Sequence, residues 1–564
     1  MSDHPPRPRT RSLRIIAQDP AVSGPGGRIL TAEVAVPAEK LQPGPRGCRV
    51  HVIDYDATGG VLYHPPEHDY AEDPYRRASD DVLLGDPGFH CQNVYAVAMR
   101  TLARFEHALG RRVGWSFSSH QIQIAPHAFC DANAFYSRED QAIVFGYFPG
   151  SKGTVFTCLS HDVVAHETTH ALIDGLRERY NDPSSPDQAA FHEGFADIAA
   201  LLSVFSVPVL VETLLDLQAP RRHPERIEAR RVEIESLRQS ALMGLAEQMG
   251  REMAALRGSA LRRSVELPPS DGYLKKPEFL EPHRRGEILV SAVLNSFLAV
   301  WRNRIRGLGE VAPGFYSRQR VAEEGASAAG HLLTMCIRAL DYSPPTDIEF
   351  SDFLSALLTA DAEVMPDDSR YRYRPALLET FQSFGIAPSS KDPGGIWEPP
   401  ESSLSYDFTH FEAMQRDPDE VFRFLWENRE ALGVSSDAYT RVLSVRPCTR
   451  VAPDGFVLRE TAAEYIQILK LRAAELAEHG IRKPDRMPGN LPVTLYGGGA
   501  LIFDEYGRLK FHIRNKVLNP ERQTRRLKYL WEYGFFDRGG AARNRLSELH
   551  RRRMMGLPME TVEV

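Results

Sequence analysis

The alternation of apolar and polar positions predicts that the chain begins with strands. Residues 49–55 alternate regularly, and a short return strand is expected at residues 61–63 after a turn. Apolar residues recur at helical spacing over residues 89–109, which predicts an amphipathic helix. Strand-like segments follow at residues 121–124 and 141–145. This part of the chain is therefore expected to be rich in β-structure.

The centre of the chain has helical periodicity. Residues 163–176 and 191–204 each fit a helix with apolar flanks. Residues 221–263 alternate Arg and Glu blocks with Ala, Leu and Met, which favours one or two extended amphipathic helices. The remaining helices are predicted at residues 285–304, 323–339, 351–360 and 375–384.

A Pro- and Gly-rich stretch at residues 387–400 indicates a linker. Helical patterns at residues 417–431 and 461–478 follow it, and then a β pattern at residues 491–513. The fold class expected from these elements is α+β, with a β-rich lobe, a helical lobe and a smaller mixed extension. The predicted divisions are a flexible segment 1–45, a β-rich lobe 46–160, a helical lobe 161–386 with a charged helical insertion 207–270, a linker 387–404 and an extension 405–564.

Composition and charge narrow the classes of function. Hydrophobic residues make up 42% and charged residues 25% of the chain, which is typical of a folded globular protein. A net charge of -7 is small for 564 residues, so neither nucleic acid nor an anionic membrane is an expected partner. The basic N-terminus lacks the apolar core of a secretory signal, which favours the cytoplasm and leaves non-classical export open. Nothing in the sequence indicates an oligomeric state.

The six cysteines are far apart and form no CxxC pair. This spacing favours free and mostly buried thiols over a disulfide framework. No flanking base identifies any of them as a nucleophile.

The segment His166-Glu167-Thr168-Thr169-His170 carries the strongest chemical signal. Residues four apart lie on one face of a helix, so the two imidazoles could bind one Zn²⁺. Glu167 would then be placed to take a proton from zinc-bound water as a general base. An ordinary charged helix face is the alternative explanation for this motif taken alone.

The next predicted helix offers the third ligand that a catalytic zinc site requires. Glu193 would coordinate the metal, and Asp197 lies one turn later on the same face. From there Asp197 could accept a hydrogen bond from the second nitrogen of a ligating imidazole. The combination of both motifs favours a metal site over a charged surface.

These motifs resemble those of the thermolysin-like zinc metallopeptidases, the gluzincins. The segment DVVAHETTHALIDG is similar to the metal helix of that family, and HEGFADI to its third-ligand helix. The segment DANAFYSREDQAIVFGY resembles the edge strand that binds substrate, so Asn133 and Ala134 would pair with a peptide backbone. The resemblance covers residues 64–386 and implies a two-lobe fold with one zinc ion in the cleft. An ordinary strand end is the alternative for residues 133–135.

The family also has a histidine and a tyrosine that stabilise the oxyanion. His283 precedes a long apolar helix as the family histidine does, and Tyr180 matches the family tyrosine approximately. Glu278 is a candidate for orienting His283. The alternatives are a surface histidine at a helix start and a buried structural tyrosine.

The chain departs from the family in three places. Asp162 matches a calcium-ligand position, but the carboxylate expected at the partner position is Val204, so calcium binding is doubtful. The insertion 207–270 has no counterpart and could narrow the cleft. No propeptide is recognisable.

The function expected from the sequence is a zinc metallopeptidase that hydrolyses peptide or protein substrates. Two alternatives remain open: a zinc-stabilised scaffold without activity, and a hydrolase of a specialised non-peptide amide.

Overall fold

The computed structural model of the chain describes residues 9–536, apart from 21–26, 69, 151–152, 183, 217–223, 240–263, 265, 401–402 and 453. The described part is α+β, as expected. No helix within it combines the length and apolar character needed to cross a bilayer.

The first lobe combines strands with one long helix. Its elements are β1 (Thr10–Ile16), β2 (Thr31–Pro37), β3 (Val50–Val52), β4 (Tyr55–Asp56), β5 (Val61–Leu62), α1 (Asp80–Gly85), α2 (Pro87–Leu109), β6 (Ile122–Cys130), β7 (Ala134–Ser137), β8 (Ala142–Gly150) and β9 (Gly153–Phe156). The strands and the helix predicted between residues 49 and 145 are all present.

The prediction of a flexible segment at residues 1–45 is wrong for its described part. β1 and β2 form an antiparallel pair in which Leu13, Ile15 and Val36 are fully buried. Both strands pack against α2, so this hairpin belongs to the main hydrophobic core. Because Pro, Gly and Arg dominate the composition of the segment, its two short apolar alternations were not predicted to be strands.

The central sheet of this lobe has the order β3-β6-β8-β7. β3, β6 and β8 are parallel neighbours, whereas β7 is antiparallel to β8 and lies at the edge of this order. An edge strand keeps one side of its backbone available for other partners. β7 packs against the helix that carries the predicted metal ligands.

The second lobe is helical. Its elements are α3 (His161–Leu176), α4 (Pro186–Phe205), α5 (Pro208–Asp216), β10 (Arg226–Glu228), α6 (Pro282–Arg306), β11 (Phe315–Ser317), α7 (Arg318–Ala339), α8 (Phe350–Val364) and α9 (Tyr373–Ser383). α3 and α4 are buried along almost their entire lengths, and α4 packs against both α3 and α6.

Part of the charged insertion differs from the prediction. β10 pairs antiparallel with β11 at a place where the sequence pattern predicts helix. Ile227 is fully buried there, so one apolar residue fixes the strand within an otherwise charged segment. Half of the predicted helical insertion 207–270 lies outside the described residues, including most of the charged stretch 221–263.

The C-terminal extension contains α10 (Phe411–Met414), α11 (Pro418–Glu427), β12 (Tyr439–Val451), β13 (Val457–Arg472), β14 (Pro492–Phe503), β15 (Leu509–Asn515) and α12 (Pro520–Glu532). The four strands form an antiparallel sheet in chain order. The helix predicted at residues 461–478 is wrong, because this segment forms most of β13. Ala462 faces the main core and Ala463 faces the core beneath α11, so both faces of the strand are buried.

The extension packs on the helical lobe through buried charges. Asp341 lies 2.5 Å from the guanidinium groups of both Arg111 and Arg450. Burial acts against ionisation of Asp341, but the two arginines outweigh it and hold the pKa of Asp341 well below its ordinary value.

Trp397, within the predicted linker, donates its indole N–H to the carbonyl of Tyr342 at 2.9 Å. The linker is therefore anchored to the helical lobe.

Candidate metal centre

The segment His166–His170 lies on α3, in the interior of the protein. His166 and His170 are 1% and 0% exposed, and their Nε2 atoms are 2.8 Å apart. Thr168 and Thr169 lie between them and donate their hydroxyls to backbone carbonyls one turn earlier, each at 2.7 Å. These bonds satisfy polar groups that would otherwise be costly to bury in the helix.

Glu193 on α4 faces this pair of imidazoles. Its carboxylate oxygens lie 3.6 Å from His166 Nε2 and 3.5 Å from His170 Nε2. Ligand atoms at tetrahedral angles and about 2.1 Å from one zinc ion would be about 3.4 Å apart. The two distances belong to different oxygens of the carboxylate, so each imidazole has one Glu193 oxygen at about this separation. The imidazoles, 2.8 Å apart, need to separate by only about 0.6 Å to match it as well. Two imidazoles and one carboxylate are a donor set that suits zinc.

The second ring nitrogens of both histidines also have partners. His166 Nδ1 lies 2.9 Å from Asp197 Oδ1, the contact anticipated from the sequence. His170 Nδ1 lies 2.7 Å from His192 Nδ1, with the two rings nearly parallel at 16°. Such outer partners fix the tautomer and orientation of a ligating imidazole. His192 was not among the predicted site residues, although its position directly before Glu193 places it on the same helix.

Glu167 is fully buried beside the first ligand. The backbone N–H of Tyr136, in the edge strand β7, donates to Glu167 Oε2 at 3.1 Å. This bond fixes one carboxylate oxygen and links the predicted base directly to the strand predicted to bind substrate.

His283 lies at the N-terminus of α6, and its side chain approaches the predicted ligands. Its Nε2 atom is 3.9 Å from Glu193 Oε2, is buried, and makes no hydrogen bond to any residue that the structure describes. Its Nδ1 atom lies 2.7 Å from Glu281 Oε1. Glu281, rather than the predicted Glu278, therefore orients the ring.

Glu281 also caps α6, because its carboxylate accepts the backbone N–H groups of His283 and Arg284 at 3.2 and 2.7 Å. Burial disfavours the ionised form of Glu281, but the hydrogen bond and charge of His283 outweigh it and lower the pKa of Glu281 to about 2. The carboxylate is thus ionised near neutral pH and is an acceptor for the His283 Nδ1–H.

Two glycines allow α4 and α6 to approach closely enough for this arrangement. A Cβ atom on Gly194 would lie 3.3 Å from the backbone of Gly286, and a Cβ on Gly286 would lie 3.3 Å from the carbonyl oxygen of Ala190. Gly194 follows Glu193 directly, and Gly286 lies one turn after His283. The helix crossing therefore sets the distance between Glu193 and His283.

Tyr180 is placed differently from its predicted role. Its hydroxyl donates to the carbonyl of Pro344 at 2.7 Å, and its ring packs edge-on against Phe191 in the core. These contacts are those of a buried structural tyrosine, because the hydroxyl is directed at a backbone carbonyl.

The strand predicted to bind substrate, β7, lies at the sheet edge, but the first backbone N–H of this strand already has a hydrogen-bond acceptor. Asn133 is 5% exposed, and its Oδ1 accepts the backbone N–H of Ala134 at 2.9 Å. Ala134 is the first residue of β7 and Asn133 directly precedes it, with the Asn133 side chain bonded to the backbone of the next residue.

The two residues of the doubtful calcium position do not form a pair of carboxylates. Asp162 accepts the hydroxyl of Ser160 at 2.7 Å. Val204 lies in a small apolar cluster with Ala17 and Leu30.

All six cysteines are free, and four of them are buried, as predicted.

The chain matches no protein-family model and no curated protein.

Proposed function

We propose that this protein is a zinc-dependent metallopeptidase of the thermolysin-like kind, with its active site between the β-rich and helical lobes. The convergence of His166, His170 and Glu193 is the observation that supports this function most. Three ligand atoms from two helices lie within 4.8 Å of one another, with a carboxylate and a further imidazole beside them. A zinc site that serves only to stabilise the fold requires neither of these additional groups.

Zinc bound at these residues would polarise a peptide carbonyl and lower the pKa of a coordinated water. Glu167 would remove the proton from the attacking water and later pass it to the departing amine. The Tyr136 amide holds one oxygen of Glu167 and thereby orients the carboxylate for this proton transfer. The full burial of Glu167 keeps bulk water from competing for its carboxylate.

His283 would stabilise the oxyanion that develops on the carbonyl. Its Nδ1–H bonds to Glu281, and its Nε2 is directed toward the Glu193 side of the site. Donation to the oxyanion requires a proton on Nε2 as well, so His283 would act in its doubly protonated form, paired with the Glu281 carboxylate. Donors that are already oriented before the reaction contribute most to this kind of stabilisation. Tyr180 is left out of the mechanism because its hydroxyl is bonded to Pro344.

A peptide is the substrate class that fits the surroundings best. β7 is an edge strand, and one of its backbone amides already bonds to the predicted base. An extended peptide added along this edge would place its carbonyl groups beside Glu167. Asn133 and Ala134 would contribute the N-terminal end of that interaction.

The variant Glu167→Gln tests the function. We expect it to retain zinc, because Glu167 is not a ligand, and to lose about 10²–10⁴-fold in kcat, the usual contribution of a general base. Zinc content by elemental mass spectrometry and cleavage of a diverse peptide library provide the two measurements. Glu178→Gln changes an exposed residue just after α3 and serves as the matched control.

An unchanged kcat in Glu167→Gln would refute its role as the base. If the zinc-replete wild type cleaves no peptide, non-peptide amides are assayed next to separate the two alternative functions. Their hydrolysis would support a specialised amidase, and no hydrolysis at all would support a scaffold.

A further inference from the structure

A second group of metal-binding side chains lies in the first lobe. His90, His127 and Cys158 each offer a ligand atom, and these atoms lie within 4.8 Å of one another. The three residues are 1%, 7% and 0% exposed. The closest pair is His90 Nδ1 and His127 Nε2, at 2.7 Å. None of these residues belongs to the centre formed by His166, His170 and Glu193.

The outer nitrogens of both imidazoles are bonded in the manner of metal ligands. His127 Nδ1 lies 2.9 and 3.0 Å from the two carboxylate oxygens of Asp54. His90 Nε2 lies 2.9 Å from the carbonyl oxygen of Leu84. A ligating histidine almost always donates its second N–H to a carboxylate or a backbone carbonyl. With protons on these outer nitrogens, the lone pairs of the inner nitrogens are directed at the space beside Cys158.

We propose that His90, His127 and Cys158 bind a second zinc ion, which joins the first lobe to the start of the helix carrying the first metal site.

The donor types and the charges favour zinc. Imidazole and thiolate are the ligands that zinc most often has in proteins. A divalent ion beside the thiolate of Cys158 and the carboxylate of Asp54 gives a total charge of zero, which lowers the cost of burying these groups. The three side chains leave one coordination position for water or another small ligand.

A hydrogen-bonded histidine pair without metal is the competing explanation. The contacts to Asp54 and Leu84 each require a proton on an outer nitrogen, and a hydrogen bond between the inner nitrogens requires another. The two rings would then carry one proton more than two neutral imidazoles have. The buried pair would be cationic, whereas a zinc ion needs both rings neutral.

The fold brings these three residues together by specific local features. His90 lies in the first turns of α2, where its ring also contacts Phe156 at 4.8 Å between centroids. His127 lies within an irregularity of β6, where the register with β8 shifts between Ala125 and Phe129. Irregularities of this kind redirect side chains and often occur at functional positions.

Cys158 is held in place by its backbone. It lies in the short 3-10 turn Thr157–Leu159, just before α3, and its carbonyl accepts the side-chain N–H of Asn93 at 2.9 Å. A zinc ion bound to Cys158 would therefore connect α2, β6 and the start of α3.

Zinc content of the purified full chain tests the proposal. We expect two zinc ions per wild-type chain, one in Cys158→Ala and one in the double variant His166→Ala/His170→Ala. Cys336→Ala removes a thiol that is equally buried, in α7, and should retain both ions. Asp54→Asn should weaken zinc binding at the second site about 10–100-fold.

Cobalt substitution provides a measurement that does not depend on the stability of Cys158→Ala. The His166→Ala/His170→Ala chain loaded with Co²⁺ should show a thiolate-to-metal charge-transfer band, and adding Cys158→Ser should abolish it. A wild type with one zinc ion, together with no such band, would overturn the proposal. Copper in place of zinc at these residues would overturn the assignment of the ion.

Discussion

Replacing His283 with alanine removes the proposed oxyanion donor while leaving the helix start largely intact. The Glu281 carboxylate would still accept the backbone N–H groups of residues 283 and 284, which cap α6 at 3.2 and 2.7 Å. The change removes one side-chain hydrogen bond to an ionised carboxylate, so we expect a stability loss of about 1.5–3 kcal/mol. The Nε2 atom makes no hydrogen bond to any described residue, so its removal adds no further cost of this kind.

The effect on catalysis should be much larger. Removal of one oxyanion donor typically costs about 2.7–4 kcal/mol in the transition state, which corresponds to about 10²–10³-fold in kcat. We expect KM to change little, because the interaction forms mainly in the transition state. Zinc content should stay at the wild-type value, since His283 is not among the three ligands.

The assay is steady-state cleavage of a peptide that the wild type hydrolyses, with zinc content and the unfolding midpoint measured on the same samples. His120→Ala changes an exposed histidine and is the matched control. A kcat within about threefold of the wild type would refute the role of His283, because the loss of an oxyanion donor is far larger. A parallel loss of zinc would instead indicate that His283 is a ligand.

Three further predictions follow from the packing and the charges. Gly286→Ala should move α6 away from α4 and lower kcat by about tenfold with zinc retained; Gly272→Ala, where the nearest atom to a new Cβ is 3.7 Å away, should not. Asp197→Ala should weaken zinc binding about 10–100-fold in a chelator competition, because His166 loses its outer partner; equal affinity would contradict this. Asp341→Ala should lower the free energy of unfolding by about 3–5 kcal/mol in urea at pH 7, since it leaves the buried guanidinium of Arg111 without a carboxylate and that of Arg450 with Glu460 alone. Because the pKa of Asp341 is depressed in the folded state, its contribution is complete above its ordinary value of 3.8 and should shrink as the pH falls below that value; a difference that stays constant between pH 7 and pH 3 would contradict it.

The pair of candidate metal ligands on α3 could be predicted from sequence because its geometry is local. His166 and His170 are one helical turn apart, so a helix alone brings their imidazoles together. Glu193 and Asp197 have the same spacing on α4, and the structure places Glu193 beside both histidines and Asp197 beside His166.

The residues that complete the site depend on tertiary packing. Glu281 and Glu278 are equally plausible neighbours of His283 in the sequence, and only the start of α6 selects Glu281. The backbone N–H of Tyr136 has no sequence signature at all, because any residue could provide it. His90, His127 and Cys158 lie on three separate elements, so none of them has a partner at a recognisable spacing.

The error at β13 has a different physical cause. Ala463 and Tyr465 face one core while Ala462 faces another, so the strand lacks the alternation that marks a half-buried strand. Its apolar residues also recur at helical spacing, and its Ala and Glu residues favour helix. Only the packing of the extension against the helical lobe decides between the two structures.

Anomalous diffraction at the zinc edge, from crystals of the purified protein, tests the central claim most directly. We expect a peak about 2.1 Å from His166 Nε2, His170 Nε2 and one carboxylate oxygen of Glu193, with no fourth protein ligand. A map without a peak between these three side chains, or a peak whose fourth position is filled by a protein group, would contradict it.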